Sequence, residues 1–120
     1  MKTTHLENAK IFKAFCDETR LLVLSLLQDG EKCACDLLEQ VSVGQSTLSH
    51  HMKILMESGV VVAHKDGKWT YYSISQEGSK TAIELLGNLT AIEIDTAKIK
   101  RDCTPDNTND TKNDVKFGEI

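Results

Sequence analysis

A chain of 120 residues, 40% of them hydrophobic, with 14 basic and 18 acidic side chains and a formal charge of −4, makes one domain with a modest core. That length excludes a large multi-step enzyme with a deep cleft and flanking catalytic loops. Taken alone, the acidic balance argues against a nucleic-acid protein, because affinity for phosphate comes largely from Lys and Arg. No apolar run approaches the ~20 residues that cross a bilayer, and residues 1–10 lack the apolar stretch of a secretory signal, so a cytoplasmic protein without a membrane partner is expected. In that reducing compartment the four cysteines, Cys16, Cys33, Cys35 and Cys103, are thiols available for chemistry rather than a disulfide scaffold.

In chain order, Leu6, Ala9, Ile11, Phe12, Ala14 and Phe15 fall close to helical spacing and predict a first helix over 6–15. Asp17 is placed as the N-cap of a second helix through Leu21, Val23, Leu24, Leu26 and Leu27, whose density of leucines predicts burial on most sides. Asp29-Gly30 stops it, and a short third helix is expected over 34–41. After Ser42-Val43-Gly44 a fourth helix starts near Gln45. Leu48, Met52, Leu55 and Met56 share one of its faces, and Ser46, Ser49, His50, Lys53 and Glu57 the other. Val43 is positioned to staple against Leu48.

Ser58-Gly59 closes that helix. The β-branched Val60-Val61-Val62 and the aromatic Trp69-Thr70-Tyr71-Tyr72 flank Asp66-Gly67, which predicts a β-hairpin with Asp-Gly as the central turn residues and lysines on either side of the tip. Residues 76–101 return to helix, with Ala82, Leu85, Leu86, Leu89, Ile92 and Ile99 apolar. Residues 104–120, polar and containing the single proline, read as a mobile tail after a domain of residues 1–103.

Two short helices joined by a tight turn and followed by a hairpin spell a winged helix-turn-helix, an α+β fold that is mainly α, whose second helix enters the major groove of double-stranded DNA. The fourth helix suits that use. Ser46, Thr47 and Ser49 are small hydroxyls near its N-terminus, where backbone N–H groups also favour phosphate. Gln45, His50 and Lys53 have the reach for base edges or phosphates. Lys65 and Lys68 at the hairpin tip fit backbone or minor groove, while Trp69, Tyr71 and Tyr72 are expected to anchor the hairpin on the domain. Counted by segment, residues 45–72 hold three lysines and three histidines against Glu57 and Asp66, whereas residues 104–120 hold four acids against two lysines. The acidity therefore sits away from the DNA-facing part. The structural alternative for the fourth helix, a solvated face on a core helix, loses ground because a basic hairpin follows directly.

Cys33-Ala34-Cys35-Asp36-Leu37 opens the third helix. A helix N-terminus favours thiolate and so predicts lowered thiol pKa values, and two thiolates suit a soft ion. Residues i and i+2 of an α-helix point about 200° apart. Two sulfurs on one ion would then require the first turn to open, a strain on the first helix of the DNA-reading pair and a route from ion to DNA affinity.

These segments resemble the ArsR/SmtB family of metal-responsive repressors. The resemblance is carried by Lys13-Ala14-Phe15-Cys16-Asp17-Glu18-Thr19-Arg20-Leu21, by the box Glu31-Lys32-Cys33-Ala34-Cys35-Asp36-Leu37, by Gln45-Ser46-Thr47-Leu48-Ser49-His50-His51-Met52-Lys53 and by Trp69-Thr70-Tyr71-Tyr72, in family order over about half the chain. It implies a homodimer paired through the first and last helices, here residues 6–15 and 76–101, which represses an operator and leaves it on binding a metal or metalloid. The Cys-x-Cys box is similar to that of the arsenic-responsive branch, which implies As(III), with Sb(III) close behind, as the inducing ligand. That branch's enterobacterial type has a third cysteine where this chain has Leu38, so Cys103, Cys16 or an exogenous thiol is left to complete the site. Cys16 as a small core residue and Cys103 as an incidental thiol are the alternatives. Cd(II) and Pb(II) sensing draws on N-terminal cysteines that residues 1–10 lack, and zinc sensing on histidines that the last helix lacks. A thiol redox or persulfide switch on the same fold is a second function, and a small thiol oxidoreductase a third, disfavoured because the pair lacks a strand-to-helix thioredoxin setting. No nucleophile, base and acid are grouped as in an enzyme.

Overall fold

The computed structural model describes residues 4–92. Helix α1, His5–Lys13, starts where Thr4 Oγ1 accepts from the Glu7 N–H, and ends two residues before the expected Phe15. Helix α2 is Glu18–Leu26, capped by Asp17 as expected and followed by a 3-10 turn over Leu27–Asp29. A two-residue strand β1, Lys32–Cys33, leads into α3, Ala34–Gln40, and then α4, Gln45–Glu57. Strands β2, Val61–Asp66, and β3, Trp69–Ile74, form the hairpin, and α5, Gln76–Leu89, follows.

The sheet is antiparallel throughout in the order β1-β3-β2. Strand β1 has no alternating pattern to announce it; it exists because Lys32 and Cys33 pair with Tyr72 and Tyr71. The hairpin turn is shifted by one residue from the sequence expectation. Asp66 pairs with Trp69, so Gly67 and Lys68 are the central residues, and only Gly67, φ +68°, has positive φ. Glycine at the first central position is the pattern of a type II′ turn, which matches the strand twist while asking nothing unusual of Lys68.

The core sits between the helices and one side of this small sheet. Val23 and Leu27 of α2 and its turn meet Leu37 and Val41 from α3, Leu48, Met52 and Leu55 from α4, and Val61 from β2. Leu37, Met52 and Leu55 are essentially inaccessible, each contributing about 1.5–3 kcal/mol by burial. Val43 packs at the edge of the same cluster as Leu48, as a staple would. Two expectations are corrected. Within α2 only Arg20 and Val23 are buried, and Leu21 and Leu22 stand exposed, because the spacing 20, 23, 27 turns one stripe inward. On α4 the inward stripe is 48, 51, 52, 55 with Ile54 beside it; Met56 lies past the end of the core and is exposed.

Helix α5 begins under Ser75, whose Oγ accepts from the Gly78 N–H while its own N–H donates to Val60 O. A Cβ at position 78 would land on the carbonyl group of Gly59, backbone that has nowhere to move. The absence of a side chain at Gly78 thus sets how closely α5 approaches the link between α4 and β2. The helix stops at Leu89, short of the expected 101. Thr90 caps it, with Oγ1 donating to Leu86 O, and Ala91 and Ile92 are not helical. Ile99, Cys103 and the proposed tail at 104–120 lie outside the described residues.

Candidate nucleic-acid interface and thiol pair

Helix α4 presents Gln45, Ser46, Thr47, Ser49, His50 and Lys53 to solvent as one continuous face. Its N-cap is Gly44, which offers no side chain to the first-turn N–H groups, so these are left for an external acceptor such as phosphate. Lys65 on β2 and Lys68 in the turn are exposed too. Gln45, Ser49 and Lys68 come together along one cleft, which α3 and α4 share with the hairpin. Tyr72 packs against the core as anticipated. Trp69 does not: it is half exposed and forms part of the cleft wall. His64 faces Glu31, Nδ1 to Oε2 3.3 Å, and stacks on Tyr71 with ring centroids 5.4 Å apart.

The outward face of α4 is held in register from behind by a buried knot that periodicity could not reveal. Arg20 and His51 are both buried. Arg20 Nε and Nη2 donate to Lys13 O at 3.2 and 3.0 Å, and Nη1 donates to His51 Nδ1 at 2.9 Å. A guanidinium has no acceptor, so Nδ1 must accept and the ring proton resides on Nε2, which lies 3.8 Å from Asp17 Oδ2. Burial works against ionisation of the Asp17 carboxyl. The backbone N–H groups of Thr19 and Arg20 outweigh it, and with the Arg20 charge hold the group below the usual carboxylate value. One arginine thereby fastens the end of α1, the start of α2 and the middle of α4.

At the other end of the helix pair, the ligand atoms of Cys33, Cys35 and Asp36 lie within 4.8 Å of one another. No opening of α3 is needed to bring the sulfurs together, contrary to the expectation from helical spacing. Cys33 is the N-cap, with φ −81° and ψ 156°, so it is extended, belongs to β1 and does not follow the helical wheel. The expected lowering of the thiol pKa values is also corrected for Cys35. A hydrogen bond with Cys33, burial, and the neighbouring Cys33 and Asp36 charges push the Cys35 thiol above its ordinary value. Burial raises the Tyr71 hydroxyl likewise, with charge from Cys33, Asp66, Cys35 and Glu31 adding to it. Cys33 is buried and Cys35 exposed. Cys16 is exposed on the link between α1 and α2 and is not a member of the cluster. Sequence reasoning named both sulfurs but not Asp36 as the third donor, although its place next to Cys35 was a signal.

Two soft sulfurs with one carboxylate suit a thiophilic metal or metalloid. The donors span two elements, β1 and α3, and β1 is hydrogen-bonded to β3 of the hairpin. Among the described residues no helix is long and apolar enough to cross a membrane.

Comparison with known proteins points the same way. The sequence profile described as "Bacterial regulatory protein, arsR family" matches residues 17–62. An uncharacterized HTH-type transcriptional regulator of Methanocaldococcus jannaschii is 43% identical over 82 residues, covering 68% of this chain and 92% of that protein. The arsenical resistance operon repressor of Staphylococcus aureus is 46% identical over 69 residues, covering 58% of this chain and 66% of the repressor. A solved structure described as a possible transcriptional regulator for arsenical resistance superimposes with a TM-score of 0.60 at 28% identity, over 67% of this chain and 82% of that one.

Proposed function

The chain belongs to the arsR family of bacterial regulatory proteins and is a DNA-binding transcriptional regulator rather than an enzyme, and from that premise we propose that it is a homodimeric repressor released from its operator by trivalent arsenic. The observation that carries the arsenic reading is the thiol pair: Cys33 and Cys35 offer two sulfurs within 4.8 Å at the start of α3. The arsenical resistance operon repressor among its relatives supports the same ion class. Antimonite shares the chemistry. Cadmium and lead fit less well, because the resemblance implies that their sensing draws on N-terminal cysteines, which residues 1–10 lack.

DNA contact is assigned to Gln45, Ser46, Thr47, Ser49, His50 and Lys53 on α4, with Lys65 and Lys68 from the hairpin. Dimerisation is assigned to α1 and α5, which pack against each other. Leu6, Ile83, Leu86 and Leu89 on these helices are exposed in the single chain, more apolar surface than a monomer usually leaves to water. Release follows from what the thiols connect. Cys33 is fixed to β3 through its pairing with Tyr71, and Cys35 rides on α3. Drawing both sulfurs onto one ion shifts α3 against the sheet that carries Lys65 and Lys68, at a coupling of about 1–3 kcal/mol. The third bond of arsenic falls to Cys103, Cys16 or an exogenous thiol.

The test is fluorescence anisotropy of a labelled operator duplex with reduced protein. Arsenite is expected to release the wild type, while Cys35→Ser binds DNA normally and stays bound; a Cys35→Ser protein that dissociates like wild type removes the pair from sensing. Lys53→Ala, Lys65→Ala and Lys68→Ala should each reduce the salt dependence by about one unit of log–log slope where the lysine meets a phosphate. Peroxide or persulfide releasing the protein where arsenite does not would favour a redox switch instead.

A further inference from the structure

Of the three aromatic rings that β3 contributes, two are used by the domain itself. Tyr72 packs against the core and Tyr71 stacks on His64. Trp69, the largest, is half exposed, and among the described residues it stacks on no aromatic neighbour. It directly follows the Gly67-Lys68 turn and pairs with Asp66. With Lys68 and Thr70 it borders one side of the gap between the hairpin and α4, whose other side includes Gln45 and Ser49. Adjacent grooves of a DNA duplex are separated by a sugar-phosphate strand. With α4 in the major groove and the hairpin tip at the neighbouring minor groove, that strand runs between the two elements, and Trp69 stands in its course.

We propose that Trp69 is a DNA-contact residue, its indole laid against a deoxyribose of the strand between the two grooves and its N–H donating to a neighbouring phosphate oxygen. This contact rests on the reading of α4 and the hairpin as the DNA-facing elements, and adds to it an uncharged anchor. A DNA strand alternates an apolar sugar with an anionic phosphate. The indole carries the matching pair, an apolar face and an N–H donor at its edge.

Charge alone gives this end of the hairpin little hold on DNA. Lys65 and Lys68 stand there against Asp66, in a chain of formal charge −4. A contact made through surface burial adds affinity that neither the acid nor salt weakens. The side chain has only two rotatable bonds, so it is ordered on the DNA at low conformational cost. A sugar and a phosphate are the same at every step of the duplex, so Trp69 fixes where the hairpin sits and leaves base choice to α4.

The probe is a duplex that the reduced, full-length wild type selects from a random-sequence library, labelled for anisotropy and unlabelled for protein emission. Trp69 is the single tryptophan, so its emission reports this position and needs no variant. The expected result is quenching of Trp69 that saturates in step with the anisotropy. Trp69→Ala should bind about tenfold more weakly, with the slope of log affinity against log salt unchanged, because an uncharged ring releases no counterion. Trp69→Phe keeps an apolar face without the N–H and should fall between the two. A merely structural role has a different signature: a hairpin displaced by the substitution takes Lys68 with it, and the slope falls by about one unit, as in Lys68→Ala. Unmoved emission, wild-type affinity in Trp69→Ala, or a fallen slope overturns the contact and leaves the DNA reading standing. A wild type that selects and binds no duplex overturns the DNA reading and the contact with it.

Discussion

At the start of α2 the Asp17 carboxylate accepts from the Thr19 and Arg20 N–H groups, and the buried Arg20 behind it ties that corner to Lys13 and His51. At the start of α3 Cys33 holds the equivalent cap position, and its side chain caps nothing. Its sulfur is turned instead to Cys35 and Asp36. Both helices precede α4, the helix to which DNA contact is assigned above, and each begins after a short link, so what separates them is chemistry. The first start is closed by hydrogen bonds within the protein. The second leaves its first-turn donors without a side-chain partner and keeps two thiols together. A regulator needs both kinds of start: a fixed support for the recognition helix, and a neighbouring element whose position an ion can alter at small cost.

The most severe way to break this comparison is at the closed start. Arg20→Ala removes three hydrogen bonds and leaves the buried His51 Nδ1 and the part-buried Lys13 O without their donor, for a loss of about 2–4 kcal/mol. Urea unfolding followed by circular dichroism checks it. A change within a few tenths of a kcal/mol would mean that α4 is held by its apolar stripe alone, and the two starts would no longer differ in kind.

A second prediction sharpens the open start through pH. The Cys35 thiol is raised by Cys33 and burial, so near neutrality it carries its proton, and a divalent ion must expel that proton to bind its sulfur. Cadmium affinity should therefore climb with pH, by about one log unit per pH unit from Cys35, below the thiol's value. Arsenous acid is neutral and carries the thiol protons away as water, so its affinity should be nearly flat from pH 6 to 8. Titrations of the reduced protein at several pH values separate the two slopes; a flat cadmium profile would place Cys35 among lowered, thiolate-forming cysteines.

Which parts of the molecule were legible in the sequence follows the range of the forces that make them. Asp17 as a cap, Gly44 before α4, the 48-52-55 stripe and the hairpin are local or periodic, and each is found in the structure. The Arg20–His51 contact joins residues 31 apart, and no local pattern encodes it. Strand β1 is two residues long and owes its existence to β3. That single strand also brings Cys33 and Cys35 together: helical spacing places the sulfurs on opposite sides only if both residues are helical, and pairing with Tyr71 keeps Cys33 extended. The turn slipped by one residue for a related reason. Asp-Gly is a good central pair, but the register that aligns Val61 with Ile74 and Tyr72 with Ala63 puts Gly67 first.

The smallest predicted effect bears most directly on the comparison. Cys33→Ser replaces a side chain that caps nothing with one of the best N-cap residues. The hydroxyl is short enough to reach the Cys35 or Asp36 N–H from the extended backbone already present, so no rearrangement is required. The variant should be more stable than the wild type by about 0.5–1 kcal/mol in the absence of any ion, and it should lose the response to arsenite. Cys33→Ala, which removes the thiol without adding an acceptor, should lose the same response with no such gain. The sign distinguishes two accounts of the sulfur. If it is a packing residue at a buried position, both substitutions destabilise, the serine more because it buries a hydroxyl. If it is held there for a ligand at the expense of the cap, only the serine stabilises, and the open start of α3 is the place where this protein gives up helix stability for the capacity to respond.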